Sequence, residues 1–454
     1  SLGQLQLTWA YLRQRKRAPE PMPPLPDTLP LVTIQLPIYN ERYVVERLID
    51  AVCRMDWPRD RLEVQVLDDS DDETTAIARD RIKEWRAKGV DVHLVRRTDR
   101  TGYKAGALAH GLERAKGTFI AVFDSDFLPG PDLLKRTIPW FRDPKLGMVQ
   151  TRWGHLNRRS NLLTRLQAFG LDAHFTIEQV GRNTLGHFIN FNGTGGVWRR
   201  QAIEEAGGWR PDTLTEDLDL SYRAQLKGWR FKYLEMVECP AELPSQMNAL
   251  KAQQRRWNKG AAECVRLNLP AVLRRGDIGW GTKLHAALHL MNSTIFVCIL
   301  LLALLSVPLL WVKQGHPELD LLFDIAVIFT FSLVVLLVFY AVSQNARREI
   351  GPWAFLWTFP VFLSVSMGLA LHNAIAVVEG YLGIRSGFVR TPKLGLIGKD
   401  RGMRRDRYMK SVISPVTFLE GLLFAYFLGA LWLGWKVEDG GLWLFHGMLA
   451  LGYG

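Results

Sequence analysis

Carboxylates stand where two apolar segments of the chain end. The segment FIAVFDSDFLPG begins as a strand buried on both faces and then presents Asp124 and Asp126 before a Pro-Gly turn. The segment VLDDSDDE ends another strand in Asp68 and Asp69, which are candidates for contact with a ribose, a base or a metal. Hard divalent cations take carboxylate oxygens as ligands, so Asp124 and Asp126 are candidate metal ligands. A solvated turn is the alternative interpretation.

Two predicted helix starts carry charged side chains that could act on a substrate. In TGYKAGAL, Lys104 stands at a helix start and suits a diphosphate, although an ordinary exposed lysine is the simpler interpretation. In LTEDLDLSYRAQLKGW, Thr215 is a candidate N-cap, with Glu216 and Asp217 in the first turn. Helix capping alone would explain those two acids.

A basic segment, QQRRWNKG at residues 253–260, contains a tryptophan. Such a segment is usually a solvated helix face. Exposure of Trp257 would be costly, however, and Arg256 beside it could neutralise a phosphate. A binding role is therefore the second interpretation.

Strand and helix patterns alternate through the first half of the chain. The predicted strands are LVTIQLPIY, LEVQVLDD, VDVHLVRR and TFIAVFD, and the predicted helices lie near residues 41–55, 72–88, 104–116 and 131–142. This alternation predicts a parallel, doubly wound sheet that binds ligands at the carboxyl ends of its strands. Asp68, Asp69 and Asp124 all fall at such ends.

Composition separates a polar part of the chain from an apolar part. The 454 residues carry a net charge of +12, and residues 31–270 have the composition of a soluble α/β domain. Three long apolar runs follow, at residues 286–312, 321–342 and 416–435. Each is long enough to cross a bilayer, which takes about 20 residues. We therefore expect a multi-pass membrane protein, with buried core helices as the alternative.

The four cysteines lie far apart and form no Cys-x-x-Cys pair. This spacing matches neither a disulfide framework nor a zinc site, and it indicates a reducing compartment.

The apolar segment 353–383 presents a choice of topology. Pro360 and the polar residues His372, Asn373 and Glu379 interrupt it, and a strongly basic stretch at 384–413 follows it. A crossing would leave one basic flank on the outside, against the positive-inside rule. We therefore expect an interfacial or re-entrant segment, with the basic stretch returning beneath the α/β domain.

The remaining boundaries follow from these segments. Residues 1–30 are expected to be the end of a helix followed by a proline-rich linker, and residues 271–285 an interfacial segment. A transmembrane hairpin is expected at 286–343, and further transmembrane helices at 415–454. The first residue is not Met, and we expect segments to be missing at one or both ends, including an N-terminal membrane helix.

The order of these motifs resembles that of one known family. DDS, DSD and TED are followed by a Q-x-x-R-W motif and then by membrane helices, as in the processive family 2 glycosyltransferases of the cellulose synthase superfamily. The segments LDAHFTIEQ (171–179), FNGTGGVWRR (191–200) and KAGAL (104–108) most resemble the cellulose-synthase-like A and C branch of mannan and glucan synthases. The resemblance implies an α/β GT-A (Rossmann-like) catalytic domain at 31–270, followed by an α-helical transmembrane region.

The resemblance also implies a role for each matching residue. Asp217 would be the general base, in a catalytic motif with Thr215 and Glu216. The donor and its metal would be held by Asp68, Asp69, Lys104, Asp124, Asp126, Gln253, Arg256 and Trp257. Within that set, Asp124 and Asp126 would coordinate Mg²⁺ or Mn²⁺. The acceptor would contact Asn192, Gly193 and Trp257. The segment GFVRTPKLG resembles the family's gating loop, with Phe388, Thr391 and Lys393 at the matching places.

Two positions depart from the cellulose synthases. Arg390 stands where they carry valine, and Asn192 stands where they carry the cysteine of the acceptor entrance. Both departures weaken the case for cellulose as the product.

The resemblance implies an inverting membrane enzyme with a cytoplasmic catalytic domain. It would transfer a hexose from a nucleotide sugar onto a growing β-linked polysaccharide and secrete that polymer. We expect UDP-glucose as the donor, with GDP-mannose second. The expected partners are the donor, the nascent polysaccharide and the lipid bilayer, with no nucleic acid. One alternative is a non-processive enzyme that glycosylates ceramide or diacylglycerol, and another is a receptor or channel that only binds nucleotide.

Overall fold

A computed structural model describes residues 2–316, 318, 321, 331–397 and 414–454. Its central feature is a seven-stranded sheet with the strand order β3-β2-β1-β4-β6-β5-β7. The strands are β1 Val32–Ile38, β2 Leu62–Asp68, β3 Asp91–Val95, β4 Phe119–Val122, β5 Leu146–His155, β6 Gly196–Arg199 and β7 Arg230–Ala241.

The strands that the sequence predicted are present and parallel. β1 pairs with β2 and with β4, and β2 pairs with β3, all in parallel. The sheet is nevertheless mixed, so the prediction of a parallel sheet is wrong for its second half. β6 runs antiparallel to both β4 and β5, whereas β5 and β7 are parallel.

Helices cover the sheet and then continue beyond it. They are α1 Leu2–Arg15, α2 Val45–Cys53, α3 Thr74–Ala87, α4 Tyr103–Arg114, α5 Leu133–Thr137, α6 Leu162–Ala173, α7 Gln179–Thr184, α8 Arg200–Glu205, α9 Glu216–Leu226, α10 Met247–Arg274, α11 Trp280–Leu290, α12 Ile295–Gly315, α13 Phe331–Arg347, α14 Pro352–Gly368, α15 Ala370–Leu382, α16 Pro415–Lys436 and α17 Trp443–Tyr453. A π-helical turn, His174–Glu178, joins α6 to α7. Four of these helices match the predicted positions, since α2 to α5 begin within four residues of the expected starts.

Residue alternation explains why β4 is buried on both faces. Phe119, Ala121 and Phe123 belong to the hydrophobic core on one side of the sheet, and Ile120 and Val122 to the core on the other side. Successive side chains of a strand point to opposite faces, so an unbroken apolar run serves a sheet covered on both sides. The strand thereby fixes where the acids that follow it must emerge.

Apolar helices suited to a membrane follow the sheet domain. Among the described residues, Trp280–Lys313 and Pro415–Lys436 are long and apolar enough to cross a bilayer. The pair Pro352–Gly368 and Ala370–Leu382 is bent by 49° at its break, as in a broken span or a re-entrant loop. The expected second arm of the hairpin is described only from α13 onward, because residues 322–330 lie outside the described part.

Ion pairs join the apolar helices to the sheet domain. Glu379 of α15 pairs with Arg255 of α10, and Lys259 Nζ lies 3.4 Å from the same carboxylate. Lys251 Nζ of α10 lies 2.6 Å from Glu420 Oε2 of α16. Helix α10 carries the Q-x-x-R-W motif, so these contacts set that motif between the sheet and the apolar helices.

Candidate active site

One cleft collects nearly all the residues that the sequence singled out. It opens at the carboxyl ends of β1, β2 and β4, between α4, α9, α10 and the segment 387–395. Of the predicted site residues, the cleft is lined by Asp69, Lys104, Asp124, Asp126, Asn192, Gly193, Thr215, Glu216, Asp217, Gln253, Arg256, Trp257, Phe388, Thr391 and Lys393. The sheet thus brings together residues that are far apart in the sequence.

Asp68 does not line this cleft, in contrast to its neighbour Asp69. Its side chain is buried, accepting hydrogen bonds from Thr75 Oγ1 at 2.6 Å and from Ser70 N at 3.0 Å. Asp68 therefore closes the turn between β2 and α3. Asp69 does reach the cleft, where Arg97 binds its carboxylate with Nε and Nη2.

The two acids that follow β4 are each paired with an ammonium group. Lys104 Nζ lies 2.7 Å from Asp124 Oδ1, and Lys393 forms an ion pair with Asp126. Burial alone would lower the pKa of Lys393, but the carboxylates of Asp126 and Glu41 hold that pKa above its ordinary value. Two carboxylates that attract cations at the edge of a cleft are a suitable oxygen donor set for a hard divalent ion.

A second group of candidate metal ligands lies at the amino ends of β2 and β3. Ligand atoms of Glu63, Asp91 and His93 all lie within 4.8 Å of one another. Lys116 Nζ, however, lies 2.9 Å from Asp91 Oδ2 and 3.9 Å from Glu63 Oε1. An ammonium already balances these acids, and they stand at the edge of the sheet opposite to the cleft.

Asp217 stands at the start of α9 and has the properties of a general base. Burial and the neighbouring Glu216 raise the pKa of Asp217 to about 7, while Lys104 acts in the opposite direction. A base with a pKa near the working pH is best suited to proton transfer. Thr215 occupies the predicted N-cap position, but its side chain makes no capping hydrogen bond and lies instead 3.5 Å from Cys264 Sγ.

Gly193 allows the backbone to pass close to this base. Its φ is +78°, and a Cβ at this position would lie 3.0 Å from Asp217 Oδ2 and 3.3 Å from Lys104 Nζ. Lys104 Nζ also donates to Gly193 O at 2.9 Å and lies 3.6 Å from Glu216 Oε1. The carboxylates and the ammonium group around Gly193 therefore form one compact charge cluster.

The segment 387–395 lies across the cleft. Phe388 stacks on Tyr103 with 5.5 Å between the ring centroids, and the guanidinium of Arg256 lies 4.8 Å from the Phe388 centroid. Arg256 Nη1 also donates to Thr391 Oγ1 at 2.9 Å. The residues that resemble a gating loop therefore contact the Q-x-x-R-W motif directly. The remainder of the expected gating region, 398–413, lies outside the described residues.

Sequence reasoning missed several residues that line the cleft. Arg100 places its guanidinium 3.3 Å from the ring centroid of Tyr39. Burial raises the pKa of Glu41 to about 7 although Lys393 and Arg390 oppose this shift, and Arg390 Nη1 lies 3.1 Å from Glu41 Oε2. Tyr39 and Glu41 follow β1 directly, so the rule that led to the acids after β2 and β4 would also have found them.

Trp257 separates the cleft from a second, mainly apolar cavity. The cavity lies between α6, α10, α14 and α15, and Leu171, Gln253 and Trp257 line both spaces. Asn373 is fully buried at its wall, and neither polar atom of its amide has a hydrogen-bond partner among the described residues. The cavity therefore combines aromatic and amide groups.

The mixed sheet and the acids at its carboxyl edge define a GT-A-type domain followed by apolar helices. Comparison with known families agrees, because the glycosyltransferase-like family 2 matches residues 30–260. The chain therefore belongs to glycosyltransferase family 2.

Individual relatives carry names that agree with one another. A probable glucomannan 4-beta-mannosyltransferase 6 of Oryza sativa subsp. japonica is 36% identical over 386 residues, covering 83% of this chain and 65% of the relative. A probable glucomannan 4-beta-mannosyltransferase 11 of Arabidopsis thaliana is 44% identical over 264 residues, covering 57% of this chain and 60% of the relative. The chain thus spans less than two thirds of the length of these relatives. The predicted similarity to the cellulose-synthase-like A branch is confirmed.

A solved structure supports the fold. The mannosyltransferase PcManGT from Pyrobaculum calidifontis, solved in complex with GDP-Man and Mn²⁺, superposes with a TM-score of 0.54 at 22% sequence identity. The match covers 84% of this chain and 96% of that one. At this identity the likeness concerns the fold alone.

Proposed function

We propose that this protein transfers a mannosyl residue from GDP-mannose onto a growing β-linked polysaccharide, with inversion at the anomeric carbon. The observation that carries the proposal is the placement of Asp217, a half-buried carboxylate with a raised pKa, in the same cleft as Asp124 and Asp126. The expectation of UDP-glucose as the main donor is not supported, since the relatives are named mannosyltransferases. Mannose is therefore the sugar we propose.

The donor half of the cleft is built to receive a diphosphate. A divalent cation, Mg²⁺ or Mn²⁺, held by Asp124 and Asp126 would neutralise charge on the diphosphate. Lys104 and Arg256 add positive charge from the chain itself, at a place where burial strengthens electrostatic interactions. Burial lowers the pKa of Arg256, while Asp124 and Glu216 act in the opposite direction. Asp69, whose carboxylate is held by Arg97, lies at the edge of the cleft where the nucleoside would bind.

The acceptor half supplies the base and a surface for the sugar. An acceptor hydroxyl oxygen forms the new bond to the anomeric carbon as the bond from that carbon to the diphosphate oxygen breaks. Asp217 takes the hydroxyl proton, and the nucleoside diphosphate leaves with the bonding electron pair. Trp257 offers an apolar face for the terminal sugar, and holding the reactants in line accounts for much of the acceleration.

The second cavity supports a polymeric acceptor. It begins at Trp257, where the acceptor end would lie, and it continues between α10 and the bent helix pair. Its aromatic rings offer faces on which a sugar could stack, and the amides of Gln253, Gln254 and Asn373 offer hydrogen bonds to its hydroxyl groups. We therefore favour a processive synthase whose apolar helices pass the product across the membrane, with several spans and a cytoplasmic catalytic domain.

Incubation of purified protein with labelled GDP-mannose and Mn²⁺, and separately with labelled UDP-glucose, tests this proposal. We expect label of high molecular weight from GDP-mannose that is sensitive to β-mannanase, and release of GDP. The Asp217→Asn variant keeps the shape of the side chain and should bind GDP normally without transferring sugar. Label confined to the lipid phase would contradict processivity, and polymer from UDP-glucose alone would contradict the sugar assignment.

A further inference from the structure

The segment LDAHFTIEQ, residues 171–179, contains several polar residues to which the proposed reaction gives no role. Its centre is the π-helical turn His174–Glu178, in which Gln179 N donates to His174 O five residues earlier. Such turns are rare and often accompany functional sites. Here the turn brings His174, Glu178 and Gln179 toward the acceptor side of the cleft, beneath Asn192.

A chain of hydrogen bonds runs from this turn to Asn192. Gln179 Nε2 donates to Asn192 Oδ1 at 2.7 Å. Asn192 Nδ2 lies 3.2 Å from His174 Nε2, and His174 Nδ1 lies 2.9 Å from Glu178 Oε2. The carboxylate can only accept, so His174 carries its proton on Nδ1 and accepts from the Asn192 amide at Nε2.

The same contacts fix the charge state and the rigidity of the chain. Burial alone would raise the pKa of Glu178, but Arg182 and His174 lower it to about 2. Arg182 Nη2 lies 3.1 Å from Glu178 Oε2, and Gln179 is fully buried. Glu178 is therefore ionised at neutral pH and holds His174 in a single tautomer. The amide of Asn192 consequently has one orientation.

Among the described residues, one amide hydrogen of Asn192 has no acceptor, and Asn192 lines the cleft. The side-chain oxygen accepts from Gln179, one N–H donates to His174, and the backbone N–H donates to Gln150 Oε1 at 2.9 Å. The next residue, Gly193, borders the Asp217 carboxylate. A hydroxyl oxygen that accepts from Asn192 would therefore lie beside the base.

We propose that His174 and Gln179 are positioning residues that orient Asn192 to donate its free amide N–H to a hydroxyl oxygen of the terminal acceptor sugar. This inference rests on the proposed function, because it presumes a saccharide acceptor. It gives the LDAHFTIEQ segment a role in acceptor binding that leaves donor binding untouched. Removal of Gln179 or His174 frees the amide to rotate, and the acceptor then loses a correctly aimed donor.

A double-mutant cycle on acceptor binding tests the proposal. The dissociation constant of β-1,4-mannohexaose is measured by calorimetry on the full chain in detergent, with GDP and Mn²⁺ present. Gln179→Ala and Asn192→Ala should each weaken mannohexaose binding roughly three- to tenfold, the range of one hydrogen bond. The double variant should bind no more weakly than Asn192→Ala, because Gln179 acts only through Asn192. His174→Gln, which can still accept at its amide oxygen, should bind more tightly than His174→Ala.

Asn183→Asp is the matched control on the same helix, since Asn183 Nδ2 donates to Phe231 O at 3.1 Å and its Oδ1 accepts from Tyr233 N, both on β7 rather than at Asn192. This variant should bind mannohexaose normally even if it lowers the melting temperature. Additive effects of Gln179→Ala and Asn192→Ala would overturn the inference, as would a wild type that binds no mannohexaose. Saccharide binding with the expected cycle but without mannose transfer would refute the proposed function and leave the inference standing.

Discussion

Lys104→Gln should move the pH dependence of sugar transfer to higher pH. The proposed base, Asp217, can accept a proton only when its carboxyl is deprotonated, so activity should rise with pH through the pKa of about 7. Lys104 favours the charged carboxylate and thereby lowers this pKa. Glutamine removes the charge but keeps a polar side chain of similar shape, so the pKa of Asp217 should rise.

The geometry around Gly193 sets the size of this shift. A Cβ there would lie 3.0 Å from Asp217 Oδ2 and 3.3 Å from Lys104 Nζ, so those two atoms are at most about 6 Å apart. At 6 Å two unit charges interact by about 0.7 kcal/mol in a medium like water and by about 2.8 kcal/mol at an effective dielectric constant of 20. These energies correspond to about 0.5 to 2 pH units.

The assay measures kcat/KM for GDP-mannose between pH 5.5 and 9. Each pH profile is fitted for two quantities, the plateau value of kcat/KM and the midpoint pH. Lys104→Gln should lower the plateau because a contact with the diphosphate is lost. It should also raise the midpoint pH because the positive charge near Asp217 is lost. Lys116→Gln is the control, because Lys116 pairs with Asp91 at the opposite edge of the sheet. A lowered plateau with an unmoved midpoint would refute the assignment of Asp217 as the titrating base.

Three further changes test other parts of the site. Asp126→Asn should reduce turnover on the order of 100-fold. A chelator should abolish wild-type activity until Mn²⁺ is restored, and full activity in the chelator would contradict a metal role. Glu242→Gln should speed proteolysis within residues 386–397, because the Glu242 carboxylate accepts hydrogen bonds from the backbone N–H groups of Leu394 and Gly395. An unchanged cleavage rate would show that these hydrogen bonds do not hold the segment in place. Gly193→Ala and Gly186→Ala, both at positive φ, should each cost about 1–2 kcal/mol of unfolding free energy, but only the former, which crowds the base, should lose activity.

The acids of the site could be predicted because parallel strands present their carboxyl ends at one edge. That rule placed Asp124 and Asp126 correctly, together with the helices between the first four strands. It could not separate Asp68 from Asp69, since neighbouring residues at a strand end point in different directions. Only the structure shows that Thr75 and Ser70 satisfy Asp68.

The strands of the second half of the sheet, β5 to β7, could not be predicted from the periodicity of apolar residues. β6 has only four residues and lies between other strands that are distant in sequence, so no local pattern marks it. β5 and β7 pair with register shifts, which break the regular alternation that identifies a strand. The contact between Arg390 and Glu41 is harder still, because 349 residues separate the partners.

Lys104 connects the donor half of the cleft to the acceptor half. Its ammonium lies 2.7 Å from Asp124 Oδ1, on the side of the proposed metal and diphosphate, and 3.6 Å from Glu216 Oε1, beside the proposed base. A donor diphosphate would compete with these carboxylates for the same positive charge. Because Lys104 lowers the pKa of Asp217, any displacement toward the diphosphate makes Asp217 a stronger base. Arrival of the donor would thus raise the proton affinity of the proposed base, and with it the pH at which transfer reaches its midpoint.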